Sequence, residues 1–488
     1  AVVIRATAGL CEVVKRHATG TPTLVVGCDA RYGSSEFATA ACRVASAAGL
    51  RVLALPQANP TPLTSFSMLH FNADAGVMVT ASHNPAPDNG YKVYLGGSVV
   101  QGDGRGVQIV PPFDAEIAAA IEAAPPADEV PMNDDLIEAV DPREEYVACA
   151  SALASGDGSA RENLRIVLTA MHGVGAAITS RVLAEAGFTN VSLVAAQADP
   201  DPDFPTVPFP NPEEAGALDM AIEQAREQGA DLIIAVDPDA DRCALAVPDP
   251  ASQTGWSPLS GDQIGSLIGE FLALRGLTGS LANSIVSSRL LSRIARAHGL
   301  EHHTTLTGFK WIARAPGLGF GYEEAIGFCP DPAHVRDKDG IATSVVAASL
   351  VASLKTQGRS VWDELERLAR LHGLHVSSPL TFRVDDIEQI ASGMARLRAQ
   401  PPSVLAGSPV VEVSDLAQGY RGLPPTDGVL VLTEAEDRVI ARPSGTEPKL
   451  KCYLEVILPV VDGEPLPWGQ ARERLEAIKA AFAEIIGL

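Results

Sequence analysis

Three aspartates at alternate positions follow a strongly apolar segment, Leu232–Val236. The next six residues, DPDADR, form the aspartate loop (residues 237–242), whose carboxylates belong to Asp237, Asp239 and Asp241. Carboxylates so close together repel one another unless a divalent cation lies among them. An EF-hand is excluded, because Arg242 stands where that loop needs Gly and Pro248 stands where it needs Glu. Three protein carboxylates leave room for water or a phosphate oxygen, which favours Mg²⁺; the alternative is an acidic, solvated turn.

A second polar loop places a serine between two β-prone segments. It reads TASHNPAPDNG and is called the serine loop (residues 80–90). Ser82 lies beside His83 and ten residues before Lys92, so it could be a nucleophile with a nearby proton acceptor and a cation for phosphate. Ser-His-Asn-Pro also describes a plain turn, and the GxSxG elbow is missing. The serine loop by itself leaves both interpretations open.

A third loop concentrates basic and hydroxyl side chains in a chain that is otherwise acidic. It reads ARPSGTEPKLK and is called the arginine loop (residues 441–451). Arginine, lysine, hydroxyl and backbone amide groups in a compact Gly/Pro-containing turn are the donors that hold a phosphate dianion. A solvated β-turn is the alternative.

The remaining patterns decide less. The glutamate loop, YEEAIG (residues 322–327), offers Glu323 and Glu324 as acceptors for sugar hydroxyls, although adjacent acids are common on surface turns. Residues 164–178 mimic a dinucleotide fingerprint, but Ile178 takes the third glycine position and the next strand ends without an acidic residue. The P-loop pattern GxxxxGK[ST] does not occur in the sequence. Nucleotide sites of these two kinds are therefore not predicted.

The elements that must position these loops follow an α/β rhythm. Short Val/Ile/Leu segments alternate with helical segments rich in Ala, Glu and Arg. The first unit predicts a strand over Thr23–Cys28 and a helix over 36–48, and further units start near Leu164 and Ser284. From about Pro379 the pattern changes to several strands and a final helix over 470–486, which predicts a smaller α+β domain. Linkers are predicted at 155–159, 248–261 and 372–379.

Composition limits the class of protein. The 488 residues are 46% hydrophobic and 20% charged, which excludes disorder over most of the chain. With 37 Lys and Arg against 60 Asp and Glu, the net charge of −23 argues against a nucleic-acid partner. The longest uncharged stretch, 341–354, is too short to cross a membrane and predicts a buried helix. Seven scattered cysteines without a CxxC pair, and an amino terminus without a signal-peptide pattern, predict a cytoplasmic protein.

The four motifs TASHNP, DPDADR, YEEA and RPSGTEP, in this order, resemble those of the α-D-phosphohexomutase superfamily. The resemblance covers essentially the whole chain. It implies an α/β fold of three consecutive αβα domains with mixed sheets, plus a smaller C-terminal α+β domain, around a central cleft. The predicted bounds are 1–157 with the serine loop, 158–257 with the aspartate loop, 258–377 with the glutamate loop and 378–488 with the arginine loop.

The same resemblance implies roles for individual residues. Ser82 would be carried as a phosphoserine, and Asp237, Asp239 and Asp241 would hold one Mg²⁺ per chain together with an oxygen of Ser82. His83 and Lys92 complete the predicted catalytic set, with Lys310 as a further candidate proton acceptor. The predicted substrate-binding residues are Arg31, Arg242, Thr307, Gly308, Lys310, Glu323 and Ala325. The predicted phosphate-binding residues are Arg442, Ser444, Gly445, Thr446 and Lys449.

The function implied is a phosphosugar mutase that moves phosphate between C1 and C6 of glucose or mannose phosphate. Phospho-Ser82 would form a bisphosphate, which turns end for end, and a sugar 1,6-bisphosphate would act as activator. Ala325 and Gly327 depart from the common GEESGH or GEMSGH sequence and look more like phosphopentomutases and glucose-1,6-bisphosphate synthases. Those two activities, and a phosphosugar-binding protein without catalysis, are the alternatives. A small phosphosugar is the expected partner, with no nucleic acid or membrane; the oligomeric state is not predicted.

Overall fold

The computed structural model describes residues 1–384, 386–443 and 448–487. The chain forms two compact units. The first consists of Ala1–Ala282 and Gly308–Ser360, and the second of Asn283–Thr307 and Val361–Leu488. The bounds of the four predicted domains remain a prediction.

The first sheet has the order β5-β4-β3-β1-β2-β6 and is mixed: β1 is parallel to β2 and β3, and β4 is antiparallel to β3. Its strands are β1 (Thr23–Cys28), β2 (Arg51–Ala54), β3 (Ala75–Val79), β4 (Tyr91–Leu95), β5 (Val107–Gln108) and β6 (Ile137–Ala139). The helices are α1 (Val2–His17), α2 (Ser34–Ala47), α3 (Thr61–His70), α4 (Phe113–Ala123) and α5 (Arg143–Ser151). Leu24 and Val26 of β1 pack in the core formed with α1 and α2, whereas Val25 packs on the other face with Met68 of α3. Because both faces are covered, the residues of β1 after Thr23 are all buried and carry no charged side chain.

The second sheet has the order β11-β10-β9-β7-β8, with β7 parallel to β8 and β9 and with β10 antiparallel to β9. Its strands are β7 (Ile166–Thr169), β8 (Val191–Leu193), β9 (Leu232–Val236), β10 (Cys243–Pro248) and β11 (Trp256–Pro258). The helices are α6 (Gly158–Glu162), α7 (Ala176–Glu185) and α8 (Asp219–Gln228). Every residue of β9 is buried, so the strand fixes the position of the aspartate loop that follows it.

The next strands are β12 (Ser280–Ser284), β13 (His302–Thr305), β14 (Leu318–Glu323) and β15 (Gly327–Cys329). The helices are α9 (Gly261–Leu274), α10 (Leu290–Ala297), α11 (Phe309–Ile312), α12 (Gly340–Thr356) and α13 (Val361–His372). In the first unit β14 pairs antiparallel with β15, and the glutamate loop connects them. Helix α12 is buried on nearly all sides, so the helix predicted from the uncharged stretch is confirmed.

The C-terminal sheet has the order β16-β21-β20-β19-β18-β17, and all of its neighbouring strands are antiparallel. Its strands are β16 (Leu374–Arg383), β17 (Val404–Leu405), β18 (Ser408–Asp415), β19 (Val429–Thr433), β20 (Arg438–Pro443) and β21 (Lys449–Leu458), with helices α14 (Ile387–Ala399) and α15 (Trp468–Ile486). One face packs on α14 and α15 through residues such as Leu397 and Phe482. The opposite face packs on Ile285 and Val286 of the same unit.

Two sequence predictions of local structure were wrong. The strand expected at SIVSS ends at Ser284, and Ile285 and Val286 instead pack against the C-terminal sheet. The linker expected at 372–379 is mostly the start of β16, which pairs with β21 over ten residues. In the described part of the chain, none of the helices combines the length and the apolar character needed to span a bilayer.

Candidate active site

The serine and aspartate loops meet in the first unit. They leave the ends of the buried strands β3 and β9, respectively. Ser82 has a positive φ of 51°, and its amide donates a 2.9 Å hydrogen bond to Oγ1 of Thr80. This turn lets Oγ of Ser82 donate a 2.7 Å hydrogen bond to Oδ2 of Asp237. Two loops 155 residues apart therefore share one hydrogen bond between a hydroxyl and a carboxylate.

The three aspartates of the aspartate loop are completely buried. One carboxylate oxygen from each lies within 4.8 Å of the others. Oδ1 of Asp239 and Oδ1 of Asp241 are buried without a hydrogen bond to any described residue. Buried carboxylate oxygens are normally satisfied, and hard oxygen donors are the ligands that Mg²⁺ prefers. The residues present therefore fit a divalent cation.

Two lysines lie against the same carboxylates. Nζ of Lys92 lies 2.7 Å from Oδ2 of both Asp239 and Asp241, and Nζ of Lys338 lies 3.4 Å from Oδ2 of Asp241. Burial opposes ionisation of Asp239, but the Lys92 ammonium outweighs it and holds the pKa of Asp239 below its usual value. Burial and the two neighbouring carboxylates raise the pKa of Asp237 well above its usual range. Asp237 thus lacks the cationic partner that Asp239 has in Lys92.

His83 is the imidazole nearest to the serine hydroxyl. Its Nδ1 lies 3.3 Å from Oγ of Ser82. Burial, followed by the positive charge of Arg242, lowers the pKa of His83 to about 3. The ring is therefore neutral near pH 7 and lies beside Oγ of Ser82, whose single hydrogen is donated to Asp237.

Arg31 is turned towards the backbone of the serine loop. Its Nη2 donates to the carbonyls of Ser82 and Asn84 at 2.6 and 2.7 Å, and its Nη1 donates to those of Pro85 and Asp88 at 2.9 and 3.2 Å. Its Nε lies 3.4 Å from the buried carboxylate of Asp29. The side chain is 2% exposed, so four carbonyls of the serine loop converge on one buried guanidinium.

The glutamate loop lies beside the aspartate loop. Nη1 of Arg242 donates a 2.5 Å hydrogen bond to the carbonyl of Ala325, and Nη2 lies 3.7 Å from Oε1 of Glu323. A β-carbon at Gly327 would overlap Cδ of Lys338 and crowd Glu323. Glycine at this position thus admits the lysine that reaches the buried aspartates.

The other predicted site residues are distributed as follows. Gly308 and Lys310 lie in the first unit, at the start of α11. Thr307, Arg442 and Lys449 lie in the second unit. Ser444, Gly445 and Thr446 of the arginine loop fall outside the described residues.

Comparison with known proteins identifies the family. Models of phosphoglucomutase/phosphomannomutase α/β/α domains I, II and III match residues 1–127, 144–251 and 260–371. A Haemophilus influenzae protein, named a probable phosphomannomutase, is 43% identical over 462 residues, which are 93% of this chain and 92% of the relative. The chain belongs to the phosphoglucomutase/phosphomannomutase family. The resemblance to α-D-phosphohexomutases seen in the sequence is confirmed.

Two further matches extend over most of this phosphoglucomutase/phosphomannomutase family member. A Schizosaccharomyces pombe protein, named a probable phosphoribomutase, is 32% identical over 93% of this chain and 82% of the relative. The crystal structure of a Thermus thermophilus protein, assigned as a phosphomannomutase, aligns with a TM-score of 0.74 and 25% identity, covering 99% of this chain and 94% of that one. The predicted fold class, three αβα domains with mixed sheets and a smaller C-terminal domain, is confirmed.

Several residues of the candidate active site were not predicted from the sequence. Lys338 is 7% exposed and reaches Asp241, yet RDKDG reads as a solvated charged turn. Oγ1 of Thr61 donates a 2.6 Å hydrogen bond to Oδ2 of Asp239 from the start of α3. Asp337 accepts 2.7 Å hydrogen bonds from a buried tyrosine and a glutamine. A charged Lys-Asp pair directly before a long apolar helix was the available signal, but it does not show which buried group the charges face.

Proposed function

We propose that the protein is an intramolecular phosphosugar mutase that moves a phosphoryl group between C1 and C6 of glucose or mannose phosphate. The observation that carries the proposal is the 2.7 Å hydrogen bond from Oγ of Ser82 to Asp237, beside a buried aspartate triad, in a member of this family. The names of the matching family models and of the Haemophilus relative favour a hexose phosphate over other substrates.

The reaction uses Ser82 twice. In the first half, the bond between Oγ of phospho-Ser82 and phosphorus breaks, and a bond from phosphorus to the free sugar hydroxyl forms. The hydroxyl proton passes to an acceptor in the site and the departing Oγ of Ser82 takes up a proton, which leaves a sugar bisphosphate and a free serine hydroxyl. After the bisphosphate has turned, Oγ of Ser82 gives its proton to an acceptor and bonds to the other phosphorus, whose bond to the sugar oxygen breaks as that oxygen gains a proton. The sugar monophosphate that leaves carries its phosphate on the other carbon.

The residues around Ser82 have different roles in the proposed reaction. His83, neutral near pH 7 and 3.3 Å from Oγ, adds no positive charge beside the free serine, whose hydroxyl donates to Asp237. Lys92 remains protonated, because its two aspartate contacts outweigh burial and raise its pKa, so it offsets negative charge. Lys310 is a further candidate to accept the proton of the sugar hydroxyl.

One Mg²⁺ per chain is part of the proposal. Asp237, Asp239 and Asp241 would hold it, and it would offset the negative charge of the transferring phosphoryl oxygens. The local charge count supports a single divalent ion. Four carboxylates are linked to three cations through close contacts, and Asp237, ionised as a metal ligand, brings the excess to two negative charges. The carboxylates are the triad, Asp337 and Glu323; the cations are Lys92, Lys338 and Arg242.

The substrate would be held at both ends. We assign the sugar to Thr307, Gly308, Lys310, Glu323 and Ala325, with Arg242 beside them. We assign the distal phosphate to Arg442, Ser444, Gly445, Thr446 and Lys449, because arginine, hydroxyl and amide donors read phosphate geometry without reading the attached carbon. Such a clamp serves both half-reactions. A sugar 1,6-bisphosphate would activate the enzyme by phosphorylating Ser82.

Two further assignments, the domain bounds and the cellular location, accompany this function. The four domain bounds, 1–157, 158–257, 258–377 and 378–488, remain our proposal, and the three matching family models fall close to the first three. A cytoplasmic location is proposed from the cysteine pattern, since all seven thiols are free.

A phosphopentomutase is the second candidate. Ala325 has no hydroxyl, and Gly327 has no side chain, its space being occupied by Lys338. The glutamate loop therefore offers fewer side-chain contacts to a hexose. The phosphoribomutase name of the Schizosaccharomyces relative favours the same alternative.

Phosphorus NMR separates these activities. The protein is incubated with Mg²⁺, a trace of glucose 1,6-bisphosphate, and α-glucose, α-mannose or α-ribose 1-phosphate in separate tubes. Replacement of the 1-phosphate signal by a primary-carbon phosphate signal is expected, fastest with a hexose. A faster pentose tube would favour the second candidate, accumulating bisphosphate would indicate a synthase, and no change in any tube would indicate a binding protein.

Two variants test the nucleophile. Ser82→Ala should abolish both turnover and protein phosphorylation, because no other group is assigned to carry the phosphoryl. Ser159→Ala, an exposed position in α6, is the matched control and should keep both. Turnover in Ser82→Ala equal to that of the control would refute the role of Ser82.

A further inference from the structure

The second unit contains a basic cavity that takes no part in the proposed reaction. It has a volume of about 390 Å³ and lies between the segment Asn283–Thr307 and the face of the C-terminal sheet opposite α14 and α15. This volume is typical of sites for small molecules. Arg289, Arg421 and Arg438 line it together with two histidines, and Leu430 and Leu432 of β19 supply an aliphatic wall.

The charge of this cavity contrasts with that of the whole chain. Its described lining includes three arginines and no carboxylate, in a protein with a net charge of −23. Acidic groups behind the lining hold the guanidiniums in place. Arg289 and Arg438 share the buried Glu455, at 2.6 and 3.4 Å, and Arg421 pairs with Glu412 at 2.8 Å. Arg289 and Arg438 are thus oriented before any ligand arrives, which lowers the entropic cost of binding, whereas Arg421 is 69% exposed.

These ion pairs leave donors available. Arg289 uses its Nε and Nη2 for hydrogen bonds, and Arg421 uses its Nη2; the remaining N–H groups of both have no hydrogen bond to a described residue. The guanidinium of Arg421 also stacks on Tyr420, with 5.0 Å between its carbon and the ring centroid. Nε2 of His303 is buried without a hydrogen bond among the described residues, 3.7 Å from Oε2 of Glu301. Arginine forks of this kind match the oxygens of a phosphate group.

We propose that this cavity binds a phosphorylated small molecule, with the phosphate on Arg289 and Arg421 and the apolar part against Leu430 and Leu432. The site is separate from the arginine loop. Arg438 begins β20, and Arg442, the described phosphate-binding residue of the arginine loop in that strand, lies four residues or about 13 Å further along. A ligand here contacts both chain segments of the second unit, so binding stabilises their packing.

The test uses phenyl phosphate, which combines a phosphate with an apolar ring. Titration calorimetry is done on the full chain carrying Arg442→Gln, which removes a predicted phosphate contact of the arginine loop. We expect one saturable site with a Kd below about 1 mM, inorganic phosphate binding at least about fivefold more weakly, and no saturable binding of phenol. No saturable binding of phenyl phosphate, or equal binding of phenol, would overturn the proposal.

Two substitutions in the same background locate the site. Arg421→Gln should weaken phenyl phosphate about tenfold, because a charge-assisted hydrogen bond is lost. The matched control Arg472→Gln removes the same charge from an exposed position of α15 and should change the Kd less than twofold. Thr304→Glu, at an exposed lining position, should abolish binding by placing a carboxylate in the cavity. Unchanged affinity in both Arg421→Gln and Thr304→Glu would assign the ligand to another place and refute the cavity.

Discussion

Replacement of Arg31 distinguishes positioning of the serine loop from substrate binding, the role that the sequence resemblance implied. The guanidinium spans four carbonyls at 2.6–3.2 Å. A lysine ammonium is a single point and cannot reproduce this fork. We therefore expect Arg31→Lys to displace the serine loop while keeping a positive charge near Asp29.

The size of the effect follows from geometry. A displacement of the nucleophile by about 1 Å costs on the order of 10²-fold in rate. For Arg31→Lys we expect kcat to fall by about that factor, whereas KM for the sugar 1-phosphate stays within about threefold. Arg31→Ala should also lower the free energy of unfolding by about 3–5 kcal/mol, because it leaves the buried Asp29 carboxylate without its cation.

The assay is steady-state turnover, combined with mass spectrometry of phosphate on Ser82 and urea unfolding of each variant. Arg51→Lys, at an exposed ion pair with Glu138, is the matched control and should match wild type in all three measurements. A KM that rises tenfold or more at unchanged kcat would show that Arg31 contacts the substrate, and would refute the positioning argument.

Three further predictions use other buried groups. Burial raises the pKa of Asp339 from 3.8 to about 7. Between these two pH values the folded protein holds a proton that the unfolded chain has released, so the free energy of unfolding falls as pH rises. Asp339→Asn should remove up to about 4 kcal/mol of this decline, measured by urea unfolding between pH 4 and pH 8. Lys92→Met should increase the rise in Tm caused by Mg²⁺, because its ammonium otherwise neutralises two carboxylates of the triad; equal shifts in both proteins would contradict this. Gly327→Ala should lower stability by about 1–3 kcal/mol, since the added methyl overlaps Lys338. The control Gly469→Ala, where the β-carbon has open space, should leave Tm nearly unchanged.

Local patterns were sufficient to predict much of the fold. The strands Thr23–Cys28 and Leu232–Val236 were located from sequence because each is a short apolar run that ends at an aspartate. The first part of β16, residues 374–379, was taken for a linker, yet the backbone of β16 pairs with β21 along its whole length. Strand pairing with a distant segment outweighs local propensity, and a single sequence does not contain that information in readable form.

The candidate site shows the same difference between local patterns and contacts with distant segments. The aspartate triad could be predicted because its three carboxylates are two residues apart, so any turn that follows β9 keeps them together. Lys338 is 97 positions beyond Asp241, and on its way there its side chain occupies space that a β-carbon at position 327 would overlap. Ligands supplied by one loop can therefore be inferred from spacing, whereas the cations that balance them depend on contacts between loops. The charge on the triad consequently depends on contacts made only in the folded chain. Replacing Lys92 or Gly327, which changes those contacts, tests this better than replacing the aspartates themselves.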